Sequence, residues 1–308
     1  MRILIAANQN KGYFSPFVIE QAEAIKRLGV DMDFFGLHGK GVWGYLKNRK
    51  ALIQKIQEFR PDIIHAHYGL IGLLANLQRS VPVVTTYHGS DIHSARFIRF
   101  LSRLAIRLSA YNIFVSRNLM KRGGYHGNKQ AVIACGVDFY PVERDEARKL
   151  LGWDINGKYV LFAGAFDNIV KNSPLAKAAI AEMGDVQLKE MKGLNREQVN
   201  LAMNAANCLL VTSFREGAPM VVKEAMACGT PVVSVRVGDV EETTKGVDGC
   251  YLAMHDAHDI AVNLQRALSF QGKTDGRKYI IERGYTQEQV AQRILEIYKA
   301  VIRDKANK

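Results

Sequence analysis

Two glutamates, Glu216 and Glu224, stand with seven residues between them at the start of a helical pattern. Carboxylates so placed can accept hydrogen bonds from hydroxyls at two ends of one ligand. The run before them, Cys208 to Thr212, is short, apolar and β-branched enough for a buried parallel strand, and Thr230 to Val235 reads the same way. One helix must lie between these strands. Pro219 suits its first position, where a missing N–H is no loss, and Cys228-Gly229 ends it. Gly217 and Ala218 let a ligand approach the main chain, and the N–H groups left unpaired up to Met220 would face a phosphate. Glu216 on the loop and Glu224 about a turn and a half into the helix could then grip hydroxyls on either side of that phosphate. Such spacing suits a nucleotide sugar.

The whole string Phe214 to Val233, FREGAPMVVKEAMACGTPVV, resembles the signature of retaining GT-B glycosyltransferases, specifically glycosyltransferase family 4. The resemblance implies an α/β GT-B fold: two doubly wound Rossmann-like domains facing each other across a cleft. It implies no cofactor, only a nucleotide-sugar co-substrate, and transfer with retention by front-side attack, the departing phosphate accepting the acceptor's proton. In that reading Glu216, with the main chain of Gly217, Ala218, Pro219 and Met220, holds the donor sugar, and Glu224 holds the ribose. The string TYHGSDI, Thr86 to Ile92, resembles the family's H-G-x-D motif, which puts His88 beside the transferred sugar; spacing alone would make it a histidine that merely bonds its loop. Asp91 orients that loop or caps the next helix. Gly164 and Lys171 resemble the family's diphosphate-binding glycine and lysine, a cation that would neutralise the leaving group. Ala165 stands where the family has an arginine, so that arginine is missing, and Arg215 or Lys223 is either its substitute or a solvent-facing cation.

Weaker matches surround these. The first βα loop, Asn8 to Ser15, offers a single glycine, Gly12, for approach of the diphosphate. Residues 134–138 match the family's P-N-G-V-D string at Gly136 and Asp138 but have Ala134 and Cys135 for its proline and asparagine. Asp239, between Gly238 and Glu241, replaces a glycine of a loop near the sugar, which suggests an altered donor preference. Gly39 to Gly44 fits G-x-G-x-x-G but follows the second strand rather than the first. Asp31-Met32-Asp33 mimics a D-x-D metal motif yet enters a strand. His65 with His67, and His255 with His258, lack a third ligand, so no metal is expected.

The elements that must position these residues alternate as strand and helix. Strands are expected at Ile3–Ala7, Asp31–Leu37, Ile63–Ala66, Val81–Tyr87, Tyr111–Val115 and Gln130–Ala134, with helices over Phe17–Leu28, Tyr45–Phe59 and 94–109. A second series starts at Tyr159 and runs through Val186–Glu190, Cys208–Thr212, Val232–Val235 and Cys250–Ala253. The expected domains are 1–141 (acceptor side), 142–285 (nucleotide-sugar side) and a terminal segment, 286–308, that crosses back to the first. Ligands of such sheets bind at the carboxyl ends of the strands.

Hydrophobic residues make up 48% of the chain and charged residues 23%, which excludes a disordered chain. The N-terminal apolar run is too short for a signal peptide, and no run approaches the roughly 18 residues of a spanning helix. A cytoplasmic protein with reduced cysteines is expected. Of the net charge of +12, residues 1–140 carry 19 Lys+Arg against 8 Asp+Glu. The basic half suggests an anionic partner surface, membrane or nucleic acid. Arg96, Arg99, Arg103 and Arg107 lie on one face of a helix, with Phe97, Phe100, Leu101, Leu104 and Leu108 on the adjoining arc. That pattern suits peripheral contact with an anionic membrane, or a solvated face whose apolar side packs on its own sheet. Nucleic acid fits poorly, as no recognition motif is present. The expected function is transfer of a sugar to a glycan or lipid-linked acceptor in polysaccharide or glycoconjugate synthesis. The alternatives are a sugar-nucleotide epimerase on the same fold and a non-catalytic nucleotide-sugar-binding protein.

Overall fold

The computed structural model describes the chain except residues 11, 40–43, 45, 90, 91, 93–95 and 308. Asp91, the interior of the 39–44 glycine motif and the starts of the helices expected from 45 and 94 therefore lie outside the described residues. The chain forms two compact units, Met1–Gly136 with Tyr285–Lys308, and Val137–Gly284.

In the first unit β1 (Arg2–Asn10) turns back into the short β2 (Tyr13–Phe14), antiparallel to it. Strands β3 (Asp31–Leu37), β4 (Ile63–His67), β5 (Val83–Tyr87), β6 (Tyr111–Phe114) and β7 (Gln130–Val132) complete a sheet in the order β3-β1-β4-β5-β6-β7, parallel throughout. The sheet is covered on both faces, so its strands are apolar nearly end to end. Alternate residues of β1 serve the two layers. Ile3, Ile5 and Ala7 pack with α1 (Pro16–Lys26), while Leu4 and Ala6 pack with α2 (Arg49–Phe59) and α3 (Gly69–Asn76). Two further helices, α4 (Arg96–Leu108) and α5 (Arg117–Gly123), precede β6 and β7.

The second unit contains α6 (Arg144–Leu151), β8 (Tyr159–Phe162), a 3-10 turn (Ile169–Lys171), α7 (Ser173–Ala181), β9 (Gln187–Glu190), α8 (Arg196–Ala205), β10 (Cys208–Val211), α9 (Met220–Cys228), β11 (Val232–Val235), α10 (Val240–Thr244), β12 (Cys250–Ala253), α11 (Ala257–Leu268) and α12 (Gly276–Glu282). Its sheet is parallel, in the order β12-β11-β10-β8-β9. The order reverses beside β8 and β10, and a doubly wound sheet leaves its ligand crevice at such a point.

The boundary between units falls after Gly136, not at 141. Asparagines of α8 hold the intervening segment: Tyr140 and Val142 donate N–H bonds to Asn200 Oδ1 (3.1 Å) and Asn204 Oδ1 (2.8 Å). The last helix, α13 (Gln287–Ala306), starts in a reciprocal cap between Thr286 and Gln289. Its Val290, Ala291, Ile294 and Tyr298 are buried in the cluster of Ile3, Ile5, Val18 and Ile25, so the chain's end completes the first unit.

Candidate functional site

In the second unit the chemistry gathers on the loops after β8 and β10. Thr212, wholly buried at the end of β10, donates its hydroxyl to the carbonyls of Lys171 (2.9 Å) and Asn172 (3.0 Å). Phe214 N–H bonds Val170 O at 3.0 Å. The loop after β8 is thereby strapped to the loop that carries Glu216. Gly164 sits at φ +152°, and a side chain there would come within 2.9 Å of Lys171 Cγ. Only glycine lets the lysine stem lie across the strand end. Lys171 Nζ reaches Glu216 Oε1 at 2.7 Å, with the two side chains 22% and 18% exposed. The residues that the sequence assigns to the diphosphate and to the sugar are thus paired with one another.

Helix α9 begins one residue later than expected. Pro219 caps it at φ −67°, ψ 107° rather than occupying its first position, because its carbonyl accepts from Val222 (3.2 Å) while its own ψ stays extended. Gly229, left-handed at φ 73°, ends the helix. Gly217 is exposed, and Gly238, itself at φ +59°, has to be glycine beside it: a Cβ there would meet Gly217 O at 2.7 Å. Lys223 does not stand in for the missing arginine. It is 2% exposed and its ammonium reaches Asp239 Oδ2 at 3.3 Å, which locates Asp239 as a packing counter-ion for the helix. Arg215 is exposed. Glu224 is 8% exposed and bonded to Arg196 Nη1 at 2.8 Å. Arg196 was not legible as a site residue; its only local signal is the Asn195/Gln198 capping box that starts α8.

In the first unit His88 follows β5 and is half-buried. Strands β4 and β5 run parallel with His67 opposite Thr86, so His65 and His67 share a face. The three imidazoles form a stack. His65 and His67 lie 4.6 Å apart, and His67 and His88 5.2 Å apart, with interplanar angles of 22° and 17°. His67 Nδ1 and His88 Nε2 approach to 3.0 Å and share one proton, while His88 Nδ1 lies 3.8 Å from Cys135 Sγ. His65 bonds Tyr298 Oη (2.5 Å) and Thr86 Oγ1 (2.7 Å). Phe17 and Tyr68 close over the His88 ring at 4.7 and 4.9 Å. Tyr68 adopts φ 78°, rare for a residue with a side chain, immediately after β4. Burial holds all three histidines well below their ordinary pKa, His67 down to about 3, and each neighbouring imidazole adds repulsion for His65 and His88. The rings are neutral at physiological pH. Gly12 proves to be the turn of the β1–β2 hairpin, at φ 89°, because β1 continues to Asn10 where an open βα loop was expected.

Helix α4 packs through Ser102, Ala105 and Ile106, with Gly69 of α3 admitting the Ser102 side chain. Of the two readings of the apolar arc, an outward face and one packed on the sheet, the structure has most of it outward: Phe97 is 61%, Phe100 63%, Leu104 38% and Leu108 44% exposed, while Leu101 is half-buried. Small residues, Ser102 and Ala105, share the buried face with Ile106 and let the helix come close to α3 at Gly69. Arg96, Arg103 and Arg107 are exposed beside that arc, whereas Arg99 is half-buried. Arg103 Nη2 bonds Arg122 O at 3.3 Å, setting Arg122 and Lys121 of α5 close by.

Residues 20–139 match the model of Glycosyltransferase Family 4, and residues 161–269 that of Glycosyl transferases group 1. The D-inositol 3-phosphate glycosyltransferase of Mycolicibacterium smegmatis is 26% identical over 67% of this chain, which spans 59% of the length of that relative. Among solved structures, sucrose-phosphate synthase from Thermosynechococcus elongatus superposes with a TM-score of 0.84 at 19% identity, covering 98% of this chain and 99% of that one. HepE of Anabaena in complex with UDP-glucose superposes with a TM-score of 0.75 at 17% identity, covering 97% of this chain and 100% of the other. These similarities span both units.

Proposed function

The chain belongs to glycosyltransferase family 4, and from that premise we propose that it moves a sugar from a nucleotide-sugar donor to a glycan or lipid-linked acceptor with retention of configuration, in the assembly of a polysaccharide or glycoconjugate. The observation that carries this reading is the Lys171–Glu216 pair at the start of α9, with Glu224 inside the same helix, on the loops after adjacent strands β8 and β10. A diphosphate competes with Glu216 for the Lys171 ammonium, and Glu216, once released, accepts bonds from sugar hydroxyls together with the main chain of Gly217 to Met220. Glu224 accepts from the ribose. The acceptor hydroxyl oxygen bonds the anomeric carbon as the carbon–phosphate oxygen bond breaks, and its proton passes to the departing phosphate. Lys171 stabilises the charge that builds on that phosphate. The resemblance gives His88 a place by the transferred sugar, and a neutral imidazole suits a centre that gains positive charge, where an imidazolium would oppose it. HepE's bound UDP-glucose supports the donor class by likeness.

The exposed apolar arc of α4, edged by Arg96, Arg103 and Arg107, supports peripheral contact of the first unit with an anionic membrane, at roughly 1 kcal/mol per cation near its surface. Among the described residues no helix is long and apolar enough to cross a membrane. We place that contact at the cytoplasmic leaflet, whose anionic lipids carry the negative surface potential that such cations meet.

A thermal-shift panel of UDP, GDP, ADP and TDP tests the donor site, since a nucleotide at 100 times its Kd stabilises the fold by about 2.7 kcal/mol. One of the four should stabilise the chain, and silence from all four would sink the reading. With the matching nucleotide sugar and an acceptor, Glu216→Ala abolishes turnover and Glu224→Ala chiefly weakens nucleotide binding. Full activity in Glu216→Ala would refute its role. Sugar conversion without acceptor would favour the epimerase.

A further inference from the structure

Glu224 lies in a stretch of α9, Val222 to Cys228, that is buried throughout. A carboxylate 8% exposed keeps its charge only if a cation and hydrogen bonds replace the lost water. Arg196 supplies both: Nη1 meets Glu224 Oε1 at 2.8 Å. The guanidinium is itself fixed. Its central carbon lies 4.4 Å from the centre of the Phe139 ring, and its backbone begins α8 directly after the Asn195 cap, where Asn195 and Gln198 bond reciprocally. Arginine suits such a place because it stays charged and planar, with donors in a rigid fork. Its side chain remains 37% exposed, so the pair is open on one side, at the sheet edge where α8 begins after β9.

Other charged or titratable groups stand near. Burial pushes the Cys228 thiol up to about 12, and the charge of Glu224 on the same helix adds to the rise. Lys223, the next residue, turns to Asp239. Arg277 of α12 donates to the carbonyls of Phe139 (3.2 Å) and Ala227 (3.3 Å), and Lys273 to that of Val142 (2.7 Å).

We infer that Arg196 is a positioning residue of the donor site, which keeps Glu224 ionised and aimed so that it can accept the donor's ribose hydroxyls. The inference rests on the ribose role given to Glu224 above. Without the guanidinium, the buried carboxylate takes up a proton at a higher pH and becomes a poorer acceptor. An exposed ion pair would contribute little, but this acid is not exposed.

Calorimetric titration of wild type, Arg196→Gln, Arg196→Lys and Glu224→Gln tests this, using whichever of UDP, GDP, ADP and TDP stabilises the wild type most, between pH 5.5 and 8. Arg196→Gln should bind about 10-fold more weakly at pH 8, with the deficit widening as pH falls while wild type stays nearly level. Arg196→Lys should fold, recover most of the affinity and show a milder slope, which keeps the test open if Arg196→Gln misfolds. Glu224→Gln should be weak at every pH, having no proton to take up. Wild-type affinity in Arg196→Gln, or a deficit independent of pH, would overturn the positioning role. If Glu224→Gln binds as wild type, the ribose assignment itself has failed; if it is weak and Arg196→Gln is not, only the inference about Arg196 fails.

Discussion

Glu216 and Lys171 show how little separation a sequence conveys: forty-four residues lie between them, yet Thr212 and Phe214 tie the two loops so that ammonium and carboxylate touch at 2.7 Å. Motif spacing identified both residues. The histidines behave differently, since His65 and His67 carry no motif and acquire their properties only by stacking with His88 under burial. Their protonation has a thermodynamic consequence. Each folded pKa is depressed below the ordinary 6.5, so the unfolded chain binds more protons and stability falls as pH drops below about 6.5, the loss continuing toward the folded pKa, about 3 for His67. Each imidazole adds up to ~1.4 kcal/mol per pH unit within that window. Denaturant melts from pH 7.5 to 5 should show this acid slope, and His67→Gln should flatten it. An unchanged slope in that variant would argue that His67 titrates normally.

Elements were legible where their period was plain. The parallel strands β4, β5, β8 and β10 read correctly as apolar runs, because a sheet covered on both faces demands little else. Helix α4 was legible as a helix but left two orientations open, because helical periodicity reveals that an apolar arc exists but not which arc faces the protein. Ser102, Ala105 and Ile106 took the inner face, and Phe97 and Phe100 were left outside. This orientation bears on the membrane proposal. Vesicles rich in phosphatidylglycerol should pellet the wild-type chain, and Arg103→Glu/Arg107→Glu and Phe97→Ser/Phe100→Ser should each reduce that binding by several fold. Equal pelleting of wild type with purely phosphatidylcholine vesicles would remove the electrostatic part of the argument. The hairpin at Gly12 is a local miss, since two pairs of antiparallel residues, Gln9 with Phe14 and Asn10 with Tyr13, leave no periodic trace.

At the scale of the whole molecule the first unit is discontinuous: the chain leaves it after Gly136 and returns at Tyr285. Gly136 packs against Gln287, so departure and return meet at one point that tolerates no side chain. Helix α13 then fills the layer beside α1. Ile294→Ala, at a position with no exposure, should cost about 2–5 kcal/mol of stability and leave nucleotide affinity unchanged, since Ile294 and the donor residues belong to different units. A loss under about 0.5 kcal/mol, the range of ordinary surface substitutions, would mean that the helix contributes no core. By itself the sequence determined the two α/β series, and its resemblance to the family named Glu216, Glu224, Lys171 and His88 as the residues to examine, because hydrophobic period and motif strings are local properties written along the chain. Only the tertiary structure decided which charges meet, that Arg196 holds Glu224, that Lys223 is spent on Asp239, and which side of α4 faces outward. Those outcomes depend on distances between segments far apart in sequence, and burial sets them.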